Sequence, residues 1–190
     1  MIITVKHMVC NRCIKAVEEA LGQKWDSSSY RVRLGQIEWK TALNPEDLET
    51  LDKLLSKHGF ELVEDEKSRK VEWIKQLIIN EVHHQAAQKP TGVNFSEFIS
   101  KTIGHDYSYL NDLFSSIEGK TIGQYVTLQK IEKAKELLVY GEMSLAQIAD
   151  QLEYNSAQYL SAQFKKTTGL TPSRFKSFGQ RRPIDKVADL

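Results

Sequence analysis

The feature that most constrains this chain is an internal repeat, in which the same residue types recur 50 positions apart. The recurring residues are an aromatic–leucine pair, a phenylalanine, a glycine and a threonine: Tyr109-Leu110, Phe114, Gly119 and Thr121, then Tyr159-Leu160, Phe164, Gly169 and Thr171. Each copy follows a capping-box pattern, Asn94 with Glu97 and Ser144 with Gln147. The repeat predicts two helix-turn-helix units, and residues 127–138 have the spacing of a helix that connects them.

Residues 1–66 carry strand and helix patterns in the order βαββαβ, which predicts a ferredoxin-like domain. Asn44 and Pro45 mark the start of its second helix, since Asn caps helices and Pro suits their first position. The charged run that follows predicts a linker at residues 67–73. Residues 74–178 are then an all-α domain and residues 179–190 a tail, so the predicted fold class is α+β.

Positive charge is concentrated towards the C-terminal end of the chain. Residues 155–190 contain seven Lys or Arg and two Asp or Glu, although the whole chain has a net charge of only +1. Such a segment favours a surface that contacts phosphates. A solvated basic tail is the alternative interpretation.

Three further expectations come from motifs that the sequence lacks. No apolar run approaches the ~18 residues of a membrane helix, and the first residues lack a secretory pattern, so we expect a cytoplasmic protein without a membrane partner. No nucleophile–base motif, phosphate loop or dinucleotide fingerprint is recognisable, so we do not expect an enzyme. Both a monomer and a homodimer remain open.

An S-L-x-x-I-A helix start at Ser144 is followed by F-K-K-x-x-G-x-T-P-x-x-F from Phe164 to Phe175. With these motifs, residues 71–178 resemble the AraC family of transcription regulators. The resemblance implies seven helices, with two recognition helices in successive major-groove segments of double-stranded DNA. RNA polymerase is a further candidate partner. Glu153 stands where the family has Gly, so we expect the second turn to adopt a different geometry.

The resemblance places the second recognition helix at residues 156–168 and the first at residues 106–118. Side chains that can bond base edges or phosphates, away from the apolar face, are the candidate DNA contacts. In the second unit they are Gln158, Ser161, Ala162 and Lys165, with Lys166, Arg174 and Lys176 for phosphates; in the first they are Ser108, Asn111 and Asp112. Because the first set carries no positive charge, we expect the second unit to supply most of the affinity.

Cys10 and Cys13, the only cysteines, form a C-x-x-C, which in a cytoplasmic protein favours metal binding or redox chemistry. The stretch from His7 to Cys13 is similar to the G-M-x-C-x-x-C of the heavy-metal-associated domains of copper chaperones and metal-transport ATPases, with His7 in place of Gly. The resemblance implies one soft ion on the two thiolates, Cu(I) first and Zn(II) second, with His58 a candidate third ligand. Met8 is expected to be a buried loop anchor.

Two hypotheses follow for the whole chain. In the first, metal on the N-terminal domain alters DNA binding by the helical domain, with a metal donor protein as a candidate partner. In the second, a metal-trafficking, redox or protein-binding module is attached to a DNA-binding domain without metal-dependent regulation. His83 and His84 are adjacent and cannot share one helix face, so we expect them on a solvated helix surface.

Overall fold

The computed structural model describes residues 1–63, 65–84 and 88–178. The chain divides into two compact units, residues 1–77 and residues 78–190. The predicted tail, residues 179–190, lies outside the described residues.

The first unit is a four-stranded antiparallel sheet with helices between its strands. Its elements are β1 (Ile2–Lys6), α1 (Asn11–Leu21), β2 (Tyr30–Arg33), β3 (Gln36–Trp39), α2 (Pro45–Lys57) and β4 (Glu61–Val63), in the predicted βαββαβ order. The strands lie in the order β2-β3-β1-β4. Apolar residues of the sheet and of both helices, including Val5, Leu21, Ile37, Leu51 and Leu55, are fully buried.

Strand β1 lies inside this sheet and leads directly into the cysteine loop. Ile3 pairs with Ile37 of β3, and Val5 pairs with Leu62 of β4. Because β1 is bonded on both sides, the residues that follow it start from a fixed position. The sequence therefore places the C-x-x-C on a rigid support.

Helix α3 (Glu66–His84) includes residues 67–73, the predicted linker, which is therefore helical. The division between the units falls inside this helix, after Leu77 and not within the predicted linker. Glu66 and Lys70 are four residues apart and form an ion pair that supports the helix. Val71 and Ile74 give the same segment a buried face.

The second unit is helical throughout its regular elements. They are α4 (Phe95–Ile103), α5 (Tyr107–Glu118), α6 (Ile122–Tyr140), α7 (Leu145–Gln151), α8 (Ala157–Thr168) and α9 (Pro172–Phe178). Together with α3, the described residues beyond position 64 hold seven helices, as the resemblance implies. None of the helices in the described residues combines the length and apolar character needed to cross a membrane.

The internal repeat is visible in the packing as well as in the sequence. Gly119 ends α5 and Gly169 ends α8, both with positive φ. Phe114 meets Tyr125 edge-on at 5.4 Å between ring centroids, and the equivalent rings of Phe164 and Phe175 meet edge-on at 5.3 Å. The two helix-turn-helix copies predicted from the repeat are thus built around the same aromatic contact.

Candidate nucleic-acid interface and cysteine site

Helix α8 presents the second set of predicted DNA contacts on an exposed face. Ser156 caps the helix by accepting a hydrogen bond from the backbone N–H of Tyr159. Leu160 and Phe164 are fully buried and fix the orientation of the helix. The predicted readers Gln158, Ala162 and Lys165 are exposed, whereas Ser161 is half-buried. Spacings of four and three residues put the exposed readers on one side of the helix.

All charged side chains in the described part of the C-terminal segment are basic. Residues 155–178 contain four Lys or Arg and no Asp or Glu. Lys165, Lys166 and Arg174 are exposed and agree with a phosphate-contacting surface. Lys176 is also exposed, but its ammonium lies 3.5 Å from where a Cβ would stand on Gly141, the residue that ends α6. A cation there also faces the negative end of a helix dipole, which competes with a phosphate contact.

In the first recognition helix, α5, the predicted DNA contacts differ in exposure and in hydrogen bonding. Ser108 and Asp112 are exposed, but Asn111 is half-buried. The side-chain oxygen of Asn111 accepts a hydrogen bond from the backbone N–H of Ile122 at 3.1 Å. The equivalent of Ile122 in the second copy is Pro172, which has no N–H to donate. Asn111 therefore joins α5 to α6, a role that its equivalent in α8 does not have.

The turn between α7 and α8 keeps a left-handed conformation although it has no Gly. Glu153 has a φ of 55°, so the expectation of a different turn geometry was wrong. Its carboxylate lies 2.7 Å from the Nζ of Lys89 and 3.6 Å from the Nζ of Lys130. Burial raises the pKa of Glu153, but these two lysines outweigh it and hold the pKa below its ordinary value. The ion pairs compensate for the backbone strain.

Substituting Glu153 separates this strain from the ion pairs. Glu153→Ala keeps the positive φ and loses both pairs, and the Lys89 side chain, only 5% exposed, loses a partner. We expect Glu153→Ala to lower the free energy of unfolding by about 1–2 kcal/mol. Glu153→Gly should recover about 1 kcal/mol of that loss, because Gly adopts this conformation freely. Urea unfolding of both variants measures their free energies of unfolding. A Glu153→Ala variant as stable as Glu153→Gly would contradict the backbone strain inferred at this position.

Sequence reasoning missed the polar interior of the second unit. His83, expected on a solvated surface, is buried, and its Nε2 lies 2.8 Å from the Oε1 of Gln129 on α6. Burial lowers the pKa of His83 to about 4. Glu132 and Lys135, also on α6, form a buried pair at 3.0 Å. These polar residues interrupt the apolar pattern of α6, and this interruption is the only signal that could have revealed them.

A groove beside the second recognition helix also went unpredicted. It has a volume of about 680 Å³ and lies where the N-terminal turn of α6 approaches α8. Its polar lining includes Lys120, Thr121, Gln124, Gln163 and Lys166. Of these five, only Lys166 was a predicted DNA contact. Lys120 comes directly before Thr121, the N-cap residue of α6, and this position in the sequence could have marked it as a further candidate.

The cysteines face each other at the start of α1. Cys10 is the N-cap residue and Cys13 lies in the first turn, which puts their Sγ atoms 3.5 Å apart. Both side chains are half-buried. His7 has a φ of 68°, a left-handed conformation that favours Gly. Met8 is fully buried, which agrees with its expected role as a loop anchor.

The two thiols differ in acidity. Burial raises the pKa of Cys10, but hydrogen bonds from Cys13 and Arg12 outweigh it and leave the pKa below its ordinary value. Burial raises the pKa of Cys13 above its ordinary value, and the neighbouring Cys10 adds to this. Cys10 is therefore the better thiolate of the pair.

Within the part of the chain that the structure describes, no third protein ligand lies beside these thiols. Among residues 1–63, 65–84 and 88–178, no group of three or more His, Cys, Asp or Glu side chains is arranged to hold a metal ion. His58, the candidate third ligand, is an exposed residue at the C-terminal cap of α2. The imidazole Nε2 of His7 lies 3.8 Å from a carboxylate oxygen of Glu61 instead. The described site therefore offers two sulfur ligands.

A comparison with known families finds a match within the second unit. The model of a family described as "Helix-turn-helix domain" matches residues 99–177. The chain is 39% identical over 70 residues to the uncharacterized transcriptional regulatory protein YesN of Bacillus subtilis (strain 168), covering 36% of this chain and 19% of that protein. It is 27% identical over 99 residues to the xylose operon regulatory protein of Escherichia coli (strain K12), covering 52% of this chain and 25% of that protein. The chain thus spans a quarter or less of the length of these relatives.

A solved structure has the same fold. It is the C-terminal domain of AraT, a response regulator from Geobacillus stearothermophilus, with a TM-score of 0.50 and 23% identity. The similarity covers 63% of this chain and 92% of that one. Residues 99–177 therefore match a helix-turn-helix domain, and the solved structure shares its fold.

Proposed function

We propose that this protein is a transcription regulator that binds double-stranded DNA in a sequence-specific manner through residues 99–177. The observation that carries the proposal is the exposed face of α8 in a segment with four basic and no acidic residues between positions 155 and 178. A basic recognition helix is attracted to the phosphates and can read the base edges of the major groove. Its relatives are named as regulators, which agrees with this proposal.

Each exposed side chain of α8 has a role that follows from its chemistry. Gln158 can form a bidentate contact with adenine, and Ala162 can contact a thymine methyl group. Lys165 can reach a guanine or a phosphate, whereas Lys166 and Arg174 fit phosphate contacts that fix the register. We propose that these residues, with Ser161, form the reading surface, and that Ser108 and Asp112 of α5 contribute less.

The two recognition helices should contribute unequally to affinity. Lys165→Ala is expected to weaken binding of the preferred duplex by about tenfold, because it removes a charged contact at the reading surface. Ser108→Ala, at an exposed position of α5, should change affinity by no more than about twofold, because it removes no charge. Fluorescence anisotropy with a labelled duplex measures both affinities.

Asn111→Ala is the wrong probe for this comparison. Because Asn111 bonds the backbone of α6, its loss would weaken the fold as well as any DNA contact. Ser108→Ala avoids that problem, and circular dichroism should show both variants folded. Equal losses of affinity from the two variants would contradict the unequal roles of α5 and α8.

We further propose that the first unit is a ferredoxin-like, heavy-metal-associated type of domain that holds one soft metal ion. The strand order β2-β3-β1-β4 and the position of the C-x-x-C directly after the interior strand β1 support this. Two sulfurs 3.5 Å apart are suitable ligands for one ion, since soft thiolates select Cu(I) or Zn(II) over hard cations. Cu(I) fits best, because Zn(II) requires two more ligands than Cys10 and Cys13 provide.

The regulatory part of the proposal is that metal on Cys10 and Cys13 changes the affinity of the protein for DNA. A bound soft ion would supply a fixed charge and a covalent tie between two residues of the loop. The test compares DNA affinity of the whole chain with Cu(I), with Zn(II) and without metal. Cys10→Ser is the control, and unchanged affinity in all three states would exclude metal-dependent regulation.

A further inference from the structure

Gln76 of helix α3 is bonded to the loop that carries the cysteines. Its Nε2 donates a hydrogen bond to the carbonyl oxygen of Met8 at 3.1 Å, and its side chain is buried. Met8 is fully buried and stands two residues before Cys10. A buried amide costs free energy unless it is hydrogen-bonded, so this contact fixes α3 against the loop backbone.

The turn between β2 and β3 encloses Gln76 from a second side. Gly35 in that turn has a φ of 76°, and a Cβ added to it would lie 2.7 Å from the Cγ of Gln76. The carbonyl of Gly35 accepts a hydrogen bond from the backbone N–H of Val5, on the strand that leads into the loop. A movement of the cysteine loop would therefore meet a tightly packed Gln76 and displace it.

The same helix ends with contacts inside the second unit. Ile78, Ile79 and Val82 are buried, and His83 is hydrogen-bonded to Gln129 of α6 at 2.8 Å. Helix α6 connects the two helix-turn-helix copies. One unbroken helix thus carries a hydrogen bond to the cysteine loop at Gln76 and another to the connecting helix at His83.

We propose that Gln76 is a positioning residue that transmits the state of the Cys10–Cys13 loop along α3 to α6. The proposal rests on the proposed function for its input, a soft metal ion on the two sulfurs. The two Sγ atoms lie 3.5 Å apart, and an ion bound linearly between them would need a wider separation, so metal binding would move the loop. The rearrangement changes DNA binding only if metal binds one arrangement of α3 better than the other.

Hydrogen exchange of the whole chain tests this transmission directly. Cu(I), supplied under reducing conditions, should change the exchange rates of residues 78–84 in the natural protein as well as those of the loop. Gln76→Met, which keeps the side-chain length and loses the donor, should shrink the change at residues 78–84 by about fivefold. Gln23→Met, at an exposed position of the first unit, is the matched control and should behave like the natural protein.

A second probe separates this inference from the metal proposal. N-ethylmaleimide alkylates Cys10 and Cys13 without metal and perturbs the same loop. If Cu(I) does not bind but alkylation changes the exchange rates of residues 78–84 and Gln76→Met removes this change, the metal proposal fails and the transmission stands. If neither probe changes these exchange rates in the natural protein, the transmission is overturned even where Cu(I) binds. The same holds if Gln76→Met responds like Gln23→Met.

Discussion

Raising the salt concentration from about 50 to about 200 mM is expected to weaken DNA binding by about a hundredfold. Each Lys or Arg that neutralises a phosphate releases a condensed cation, so affinity falls with salt in proportion to the number of such contacts. The exposed basic residues between positions 155 and 178 supply this number: Lys165, Lys166, Arg174 and Lys176. Affinity for one duplex, measured across a salt series, gives the slope.

Single substitutions then test which of these cations contact phosphate. Lys166→Ala and Arg174→Ala should each reduce the salt slope by about one and weaken all sequences alike. Lys176→Ala is expected to reduce it less, because the ammonium of Lys176 lies at the C-terminal end of α6. Gln158→Ala is the matched comparison, since it carries no charge and should relax specificity while leaving the slope unchanged. Salt-independent binding, or no binding to any duplex, would exclude the proposed interface.

The helix-turn-helix architecture could be predicted because both copies carry their own start and stop residues. Ser144 caps α7 with Gln147, and Gly169 ends α8, as the sequence pattern indicates. Local rules of this kind depend on residues a few positions apart, which a sequence displays directly. The bounds of both recognition helices consequently agree with those predicted.

The roles of individual side chains depended on distant partners and could not be predicted. Asn111, a predicted DNA contact, also accepts a hydrogen bond from the N–H of Ile122, which becomes its neighbour only after folding. His83 was expected in solvent, yet it is buried against Gln129, 46 positions away. The helical conformation of the predicted linker was not foreseen either, and its charged residues Glu66 and Lys70 form a helical ion pair.

The two departures from the expected motifs show what a residue type alone leaves undecided. His7 and Glu153 both stand where the sequence motifs led us to expect Gly, and among the described residues they are the non-glycine residues with positive φ. The backbone therefore adopts a left-handed conformation at both places although Gly, which favours it, is missing. At Glu153, two lysines provide a compensation that no local pattern reveals.

Cys10→Ser is expected to abolish stoichiometric Cu(I) binding. The substitution changes one sulfur to oxygen with little change in size, and it leaves Cys13 as a single soft ligand. Cys10 has the lower pKa of the two, so it provides the thiolate that binds first. Competition with a colorimetric Cu(I) chelator under reducing conditions measures the loss, and X-ray absorption of the natural protein should show two Cu–S bonds.

The control for this loss is Met8→Leu, which tests the third sulfur near the site. Met8 is fully buried and holds the loop by packing, so its replacement by a side chain of similar volume should preserve Cu(I) binding. Loss of binding in both variants would mean that Met8 is a ligand or that the loop has collapsed. Cys10→Ser should leave residues 99–177 folded and able to bind DNA, because Cys10 belongs to the other compact unit. If the natural protein binds one Cu(I) and its DNA affinity stays the same, the metal site exists and the sensing proposal fails.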